Sequence, residues 1–525
     1  MKKNELLRQV AEDILPYTFI EKIGDYDLAL NIIKAVAKSN DLANIAINIA
    51  AIKQDCNAWD LDDMSIESTL TQLIDARGIV YDISLKTGSY WKIVLQPQFV
   101  KNVDSALAHY IFPVPTAIPY KADINNSVLN NRGHKLSGSL IERVINKQNS
   151  IAMTHSLQYG IDIKDKETWY AEKAYQCVPS EFHFDHKIDF RGRLYNDGYD
   201  ITYQGTTAKK AQISFVDDEP LTERGMRWLK IDIANHYGKD KLTFDERVKW
   251  FDDNYPFTGI VADETQLAVK AINMYEGGKH THIYLDATAS FLQIYSILLG
   301  DKRSAELCNI ASGENRADIY TMVANDMDLK RSDVKKPLMT MSYGKKPISD
   351  TENMIFEKLQ ELAPGMIKGM DSIYKSRPEK DYHNWTLPDG FKVHMLEFDD
   401  TKKRDFNTTI SGKKYTFSYN VKPQRYKTGS RALAPNVIHS IDGYIVRRMI
   451  DELPFKITTI HDSFACHPNN ADEMIAKYRE ILIDLFHTES LLSDILSEIA
   501  GKPVKAPYIG TLTEQDIRES VHILS

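Results

Sequence analysis

The sequence predicts a helix-rich α+β fold, and three observations carry that expectation. Apolar residues recur at helical spacing over several long stretches. Two short runs, 283–286 and 455–460, read as strands, and each delivers an aspartate at or just past its end. No internal repeat or long low-complexity tract is present, which excludes a solenoid or a disordered scaffold.

From the N-terminus, Leu42, Ile45, Ile49 and Ile52 follow Ser39-Asn40-Asp41, a cluster suited to a helix N-cap, so roughly the first 80 residues are read as helices. Between Tyr90 and Tyr120 the pattern loosens around Pro97, Pro113, Pro115 and Pro119. Helical periodicity returns from Ser137 to Leu157, and from about residue 180 short strands alternate with long helices. Ile283–Asp286 is a strand ending in an acid, followed by Ala287-Thr288-Ala289-Ser290 and a helix from Phe291. Residues 393–428 suggest a long exposed β-hairpin around Ser411-Gly412. Residues 436–450 place Val437, Ile438, Ile441, Ile445 and Met449 on one helical face, leaving His439, Gly443 and Arg447 available to a ligand. Residues 455–460 alternate Phe455, Ile457 and Thr459 with Lys456, Thr458 and Ile460, as a strand does.

At 525 residues the chain exceeds one ordinary core. No apolar run approaches the roughly 20 residues of a membrane span, and the first residues lack the character of a secretion signal or transit peptide, so a cytoplasm is the expected compartment. The four cysteines, Cys56, Cys177, Cys308 and Cys466, lack paired spacing, which argues against disulfides or structural zinc. A net charge of −8 gives no global nucleic-acid signature, so phosphate binding must come from local clusters. Six basic residues fall between Lys330 and Lys346, and nine between Lys402 and Arg431. Either run, by itself, also suits a solvated surface.

Asp286 and Asp462 carry the central expectation. Two strand-end acids side by side in one sheet can hold two hard cations ~4 Å apart and clamp both oxygens of an in-line displacement. Alone, each is an ordinary turn or cap residue. Between them, Arg331 and Lys335 share a helical face, with Tyr343 further round, a set suited to a triphosphate and its nucleoside. Pro337 implies either that this helix begins near it or that it is kinked. Upstream, Asp189-Phe190-Arg191-Gly192-Arg193 offers two guanidinium forks beside a backbone that phosphates can approach closely.

In these motifs the chain resembles the single-subunit RNA polymerases of bacteriophages and mitochondria. The resemblance rests on DFRGR at 189–193, Asp286, the Arg331, Lys335, Met339, Thr340, Tyr343 and Gly344 pattern, and His461-Asp462-Ser463. WLKIDIANHYGKDK at 228–241, WTLPDGF at 385–391, APNVIHSIDG at 434–443 and the stretch from Gly510 to Ser525 extend it. It is good from about residue 180 onward and weak before that.

The resemblance implies a right-hand polymerase fold of palm, fingers and thumb with a reduced N-terminal domain. The implied units are a reduced N-terminal helical domain at 1–110, a thumb-like region at 111–180, and palm at 181–301. Fingers follow at 302–438, with a specificity-type hairpin at 393–428, then the second palm part and C-terminal segment at 439–525. The implied activity is DNA-directed RNA synthesis from ribonucleoside triphosphates on a DNA template, with nascent RNA as the acceptor. Two Mg²⁺ ions would sit on Asp286 and Asp462. Lys335 and Tyr343 would act beside them, and Arg331, Lys241, His439, Arg191, Arg193 and Gly344 would bind substrate. Lys413, Lys414, Lys422, Arg425 and Lys427 of the hairpin would contact DNA.

Three departures accompany the resemblance. Phe291 stands five residues after Asp286, where the family's RNA polymerases have glycine and related DNA polymerases a bulky glutamate. A template-dependent DNA polymerase or primase-like enzyme is therefore the alternative. Pro337 is the second departure. The third is that only 188 residues precede Asp189, which suggests a compact phage member needing an accessory protein or a single-stranded template to start. A metal-dependent nuclease or binding module is the rival class. Its candidate ligands, His183 with His186 and His280 with His282, lack partner ligands, and Gly277-Gly278-Lys279 is not a phosphate-binding loop.

Overall fold

The computed structural model describes residues 115–121, 139–155, 178–198, 201–216, 219–277, 282–378, 382–396 and 431–525, with the backbone of strands at 45–48, 80–87, 90–95, 402–410 and 413–421. The fold is a helix-rich α+β arrangement with several small sheets. The chain forms two compact units, one from residues 1–117, 161–182 and 197–202, the other from 118–160, 183–196 and 203–525.

In the first unit, β1 (Ile45–Asn48), β2 (Val80–Thr87) and β3 (Tyr90–Leu95) form an antiparallel sheet in the order β1-β3-β2. This corrects the helical reading of Ile45. Ile-Ala-Ile-Asn also alternates with period two, and its isoleucines suit a strand. The partner that decides between the periods, Tyr90–Ile93, lies far along the chain. Leu42, Ile49 and Ile52 lie outside the described residues.

The second unit opens with α1 (Leu140–Asn149), capped by the Ser139 side chain accepting from the Glu142 N–H. The expected helix over 137–157 is thus shorter. β4 (Met153–His155) leaves it to pair with a strand at Ile213–Phe215. β5 (His186–Ile188) and β6 (Leu194–Asn196) form a hairpin whose connection is the Arg-Gly-Arg turn. Next come α2 (Glu223–Ala234), α3 (Phe244–Asn254) and α4 (Thr265–Tyr275), then β7 (Ile283–Asp286) and α5 (Ser290–Leu299). Every residue of α5 from Phe291 to Leu299 is buried, as expected of a helix that is apolar all round. Its Gln293 is satisfied there, donating to the carbonyls of Cys308 and Ile523 and accepting from the Tyr478 hydroxyl.

α6 (Ile319–Asp326) leads to α7 (Arg331–Ser342). α7 begins six residues before Pro337 and runs through it, so the helix does not start at the proline. Val334, Leu338 and Met341, all fully buried, hold both halves against the core and offset the missing backbone bond. Further on, β8 (Tyr382–Thr386) pairs with β9 (Lys392–Leu396), and β10 (Lys402–Ile410) with β11 (Lys413–Val421). The hairpin expected over 393–428 is the second of these pairs, at 402–421, and residues 393–396 belong to the hairpin before it. The second turns between Ile410 and Lys413, around Ser411-Gly412 as expected.

The chain closes with α8 (Leu433–Glu452), β12 (Ile457–Ile460), β13 (Ser463–Cys466) and α9 (Ala471–His487). β12, β13 and β7 make an antiparallel sheet in that order, so two segments distant in sequence become neighbours. Among the described residues no helix is long and apolar enough to cross a membrane.

Candidate active site

The β7–β13 ladder places Asp286 directly opposite Ser463. Asp462 occupies the two-residue turn between β12 and β13, whose first residue, His461, adopts a left-handed φ of 57°. The Ala287 N–H donates to the Asp462 carbonyl at 3.1 Å, so the loop after the first acid is tied to the second. A further backbone pair joins Asp286 to Ser525, with the Ser525 N–H donating at 3.0 Å.

Asp286 and Asp462 both line one cleft of about 510 Å³. Asp286 is exposed at its mouth and Asp462 half-buried, yet protein surrounds both carboxyls on the remaining sides. Burial raises both above the usual carboxylate range. The Asp462 charge pushes Asp286 further, and Asp442 does the same to Asp462. The Ser463 hydroxyl opposes the rise at Asp286, and that of Ser290 opposes it at Asp462. Lys210 acts against the rise at Asp286 and Arg193 against that at Asp462, and two carboxyls on one cleft are a donor set that a hard divalent ion would stabilise. Among the described residues no group of three or more His, Cys, Asp or Glu is arranged to hold a metal.

α7 forms the opposite wall, with Arg331, Lys335, Met339 and Tyr343 at four-residue intervals all lining the cleft. Asp318 organises the cations. It accepts from Arg331 Nε at 2.7 Å and lies 3.9 Å from Lys241 Nζ, which also pairs with Asp240. Arg331 stacks over the Tyr320 ring at 5.4 Å. Lys335 is exposed at the wall.

Tyr343 ends α7, packed between two rings, Phe291 at 5.7 Å and His439 at 5.0 Å. Phe291 is only 2% exposed and supports the tyrosine ring from below. Burial, then the charges of Arg193 and Arg191, lower His439 to about 2, so its imidazole is neutral. Arg191 Nη1 lies 3.1 Å from His439 Nδ1. Because arginine can only donate, Nδ1 accepts and the ring proton sits on Nε2. Gly344 is the left-handed residue after α7, at φ 90°, and its carbonyl accepts from Arg431 Nη1.

The Arg-Gly-Arg turn is placed differently from expectation. Arg191 is bound to Asp189, and Arg193 pairs with Asp442 at 2.7 Å in a nearly buried contact. Gly192, at φ 84°, lets the turn approach α8 rather than leaving backbone open to phosphate. Its carbonyl accepts from Arg447 Nη1 at 2.7 Å and lies against Gly443. Gly443 and Arg447 are buried in that contact, with Arg447 paired to Asp389 at 2.6 Å, so neither is available to a ligand. Only His439 of the three expected residues faces the site.

Comparison with known proteins adds the decisive observation. The family model for DNA-dependent RNA polymerase matches residues 219–266, 261–378 and 353–521, more than half of the chain. The chain belongs to the DNA-dependent RNA polymerase family. It is 25% identical over 430 residues to the DNA-directed RNA polymerase of Pseudomonas phage phiKMV, covering 64% of this chain and 52% of that protein. It is 24% identical over 400 residues to the mitochondrial DNA-directed RNA polymerase 1 of Arabidopsis thaliana, covering 60% and 40%. A mitochondrial relative from Neurospora crassa is 23% identical over 473 residues, covering 64% and 33%. The chain spans about half or less of the length of these relatives.

In this family member the cleft gathers Asp286, Asp462, Arg331, Lys335, Tyr343 and Lys241, with His439 against Tyr343. Lys413 and Lys414 fall on β11, whose side chains lie outside the described residues, as do Lys422, Arg425 and Lys427 entirely. The rival histidines His183, His186 and His282 are buried. His186 is buried between Asn149 and Tyr203, and burial lowers it to about 3. His282 is buried beside the Tyr284 hydroxyl, and His280 lies outside the described residues. Sequence reasoning missed Asp318, Asp240 and Arg316, and the linked set of buried Asp232, buried His236 and half-exposed Glu264 on the same cleft. Asp232 and His236 form an i,i+4 pair and Asp240 pairs with the adjacent Lys241, a local signal that could have found them, whereas Arg316 reaches the Thr288 hydroxyl 28 residues away.

Proposed function

We propose that the chain is a DNA-directed RNA polymerase, adding ribonucleotides to RNA on a DNA template. The observation that carries this reading is the pairing of Asp286 and Asp462 on one sheet, facing the cationic stripe of α7 across a single cleft. Family membership supports it. In this reading the palm comprises 181–301 and 439–525, the fingers 302–438 and the thumb 111–180.

Asp286 and Asp462 would hold two divalent ions, Mg²⁺ in this proposal, which supply stabilisation of the attacking and leaving oxygens. The chain's own groups do the rest. Arg331, Lys335 and Lys241 bind the triphosphate, and their charge counts most as negative charge moves to the leaving pyrophosphate. Lys335, exposed on the wall, can donate a proton to it. Tyr343 closes over the nascent pair. His439 presents its Nε2–H beside that ring, a donor suited to a ribose hydroxyl. The β10–β11 hairpin would contact DNA through its basic residues, which exchange of the hairpin against template preference would test.

Phe291 lines the cleft and packs against Tyr343, and the family match, to RNA polymerases, does not favour the alternative of deoxyribonucleotide selection. The test is incubation with a primed single-stranded template, Mg²⁺ and labelled nucleotides of both sugars. Template-dependent extension by ribonucleotides is expected, and deoxyribonucleotide-only extension or none would overturn the reading.

A further inference from the structure

Arg316 stands on the cleft wall where the sequence offered no motif. Its Nη1 donates to the Thr288 hydroxyl at 2.8 Å and the Ala317 carbonyl at 2.7 Å, and its Nη2 reaches the Asp240 carbonyl at 3.4 Å. Its Nε is buried without a hydrogen-bond partner. The arginines that the sequence motifs offered are each ion-paired, Arg331 with Asp318, Arg193 with Asp442 and Arg191 with Asp189. Arg316 has only neutral oxygens, with no carboxylate at ion-pair distance among the described residues.

Behind it the charge is reinforced. Arg247, fully buried, donates Nη2 to the same Asp240 carbonyl at 2.8 Å and Nε to the Leu242 carbonyl at 2.9 Å. Two guanidinium groups thus converge on one backbone oxygen, also without a carboxylate partner for the second among the described residues. Sinking a cation away from water without counter-charge is costly unless an anion completes the site. The open side of Arg316 is the cleft, which also holds Lys241, Arg331 and Lys335.

We propose that Arg316 is a further phosphate-binding residue that grips the triphosphate, and afterwards the pyrophosphate, in this cleft. Through Thr288, two residues past Asp286, it also ties phosphate occupancy to the loop that carries the first acid. The identity of the ligand as a nucleoside triphosphate rests on the polymerase reading; the polyphosphate site does not.

The test is calorimetric titration of inorganic tripolyphosphate, in magnesium buffer, into the full chain and its R316Q, R316K and T288V variants. Nucleotide addition is then measured on the same preparations. R316Q should weaken tripolyphosphate binding about tenfold or more, R316K less, and T288V about twofold at most. KM for nucleotides should rise about tenfold in R316Q with kcat falling less, whereas T288V should act chiefly on kcat. Undetectable binding to the parent chain would overturn the proposal. So would unchanged affinity in a folded R316Q, or a kcat loss in R316Q that T288V reproduces with KM unchanged in both, which would make Arg316 a brace for the loop. Arg316-dependent tripolyphosphate binding by a chain that adds no nucleotides would sink the polymerase reading and leave this site standing.

Discussion

The Ala287 N–H donates to the Asp462 carbonyl, so the backbone that carries the first acid is bonded to the residue that supplies the second. This link makes the two carboxyls one structural unit. Neither can shift without straining the ladder between Asp286 and Ser463. Positioning reacting groups on strand ends within one sheet gives the precision that in-line chemistry needs.

Substituting D462N or D286N should therefore abolish nucleotide addition, by about a thousandfold or more, while template affinity changes little. Each removes one of two like charges and nothing apolar. In divalent-free buffer the melting temperature should stay the same or rise. Primer extension, fluorescence anisotropy with labelled template and thermal melting check the three expectations. Extension by D462N at the parental rate would falsify the assignment.

Phe291 should behave as a buttress. F291A leaves a void beneath the Tyr343 ring and should cost about 3 kcal/mol of stability. Freed from that contact, Tyr343 should discriminate less sharply between sugars. Urea denaturation measures the first effect, and competition between ribo- and deoxyribonucleotides the second. Unaltered sugar selectivity in a folded F291A would show that Tyr343 does not depend on this contact.

Gly443 reverses the usual helix rule. Alanine for glycine inside a helix ordinarily gains about 1 kcal/mol. At this position a Cβ would sit 2.8 Å from the Gly192 carbonyl oxygen, against backbone that cannot swing aside. G443A should instead lose about 2 kcal/mol by chemical denaturation, and a gain would mean the turn and α8 are not in close contact.

His236 gives the pH dependence. Burial alone would lower it, but Asp232 and Glu264, bonded to its two ring nitrogens, carry it up to about 9. A group raised in the folded state stabilises fully below its unfolded value near 6.5 and loses that contribution as pH rises through the folded one. Stability should fall by about 1–3 kcal/mol between pH 6.5 and 9 or so. That slope should be absent in H236Q, as thermal melts across the range would show. Parallel curves for the two proteins would remove His236 from the account.

Much of the site was legible because its motifs are local. Ile283–Asp286 and Ile457–Ile460 alternate or terminate as strands, and Arg331, Lys335 and Tyr343 follow helical spacing. What was misread shares one cause. The Arg191-Gly192-Arg193 turn looks like an open phosphate cradle until α8 brings Asp442, Gly443 and Arg447 against it. Ile45 looks helical until Ile93 pairs with it. Pro337 left a helix start and a kink both open in sequence, and core packing on Val334 and Leu338 carries the helix across it.

The sequence by itself determined which chemistry is present: two strand-end acids, a cationic helix face ending in tyrosine, and the order in which they occur. Spacing along a strand or helix is a short-range property and survives in any window of residues. Tertiary structure alone decided which charges remain free. Asp189 and Asp442 pair with arginines that sequence had offered to phosphate, whereas Arg316, unremarkable in sequence, faces the cleft without a carboxylate partner among the described residues. The Arg193–Asp442 pair joins side chains more than two hundred residues apart, and no local pattern encodes a meeting of that kind.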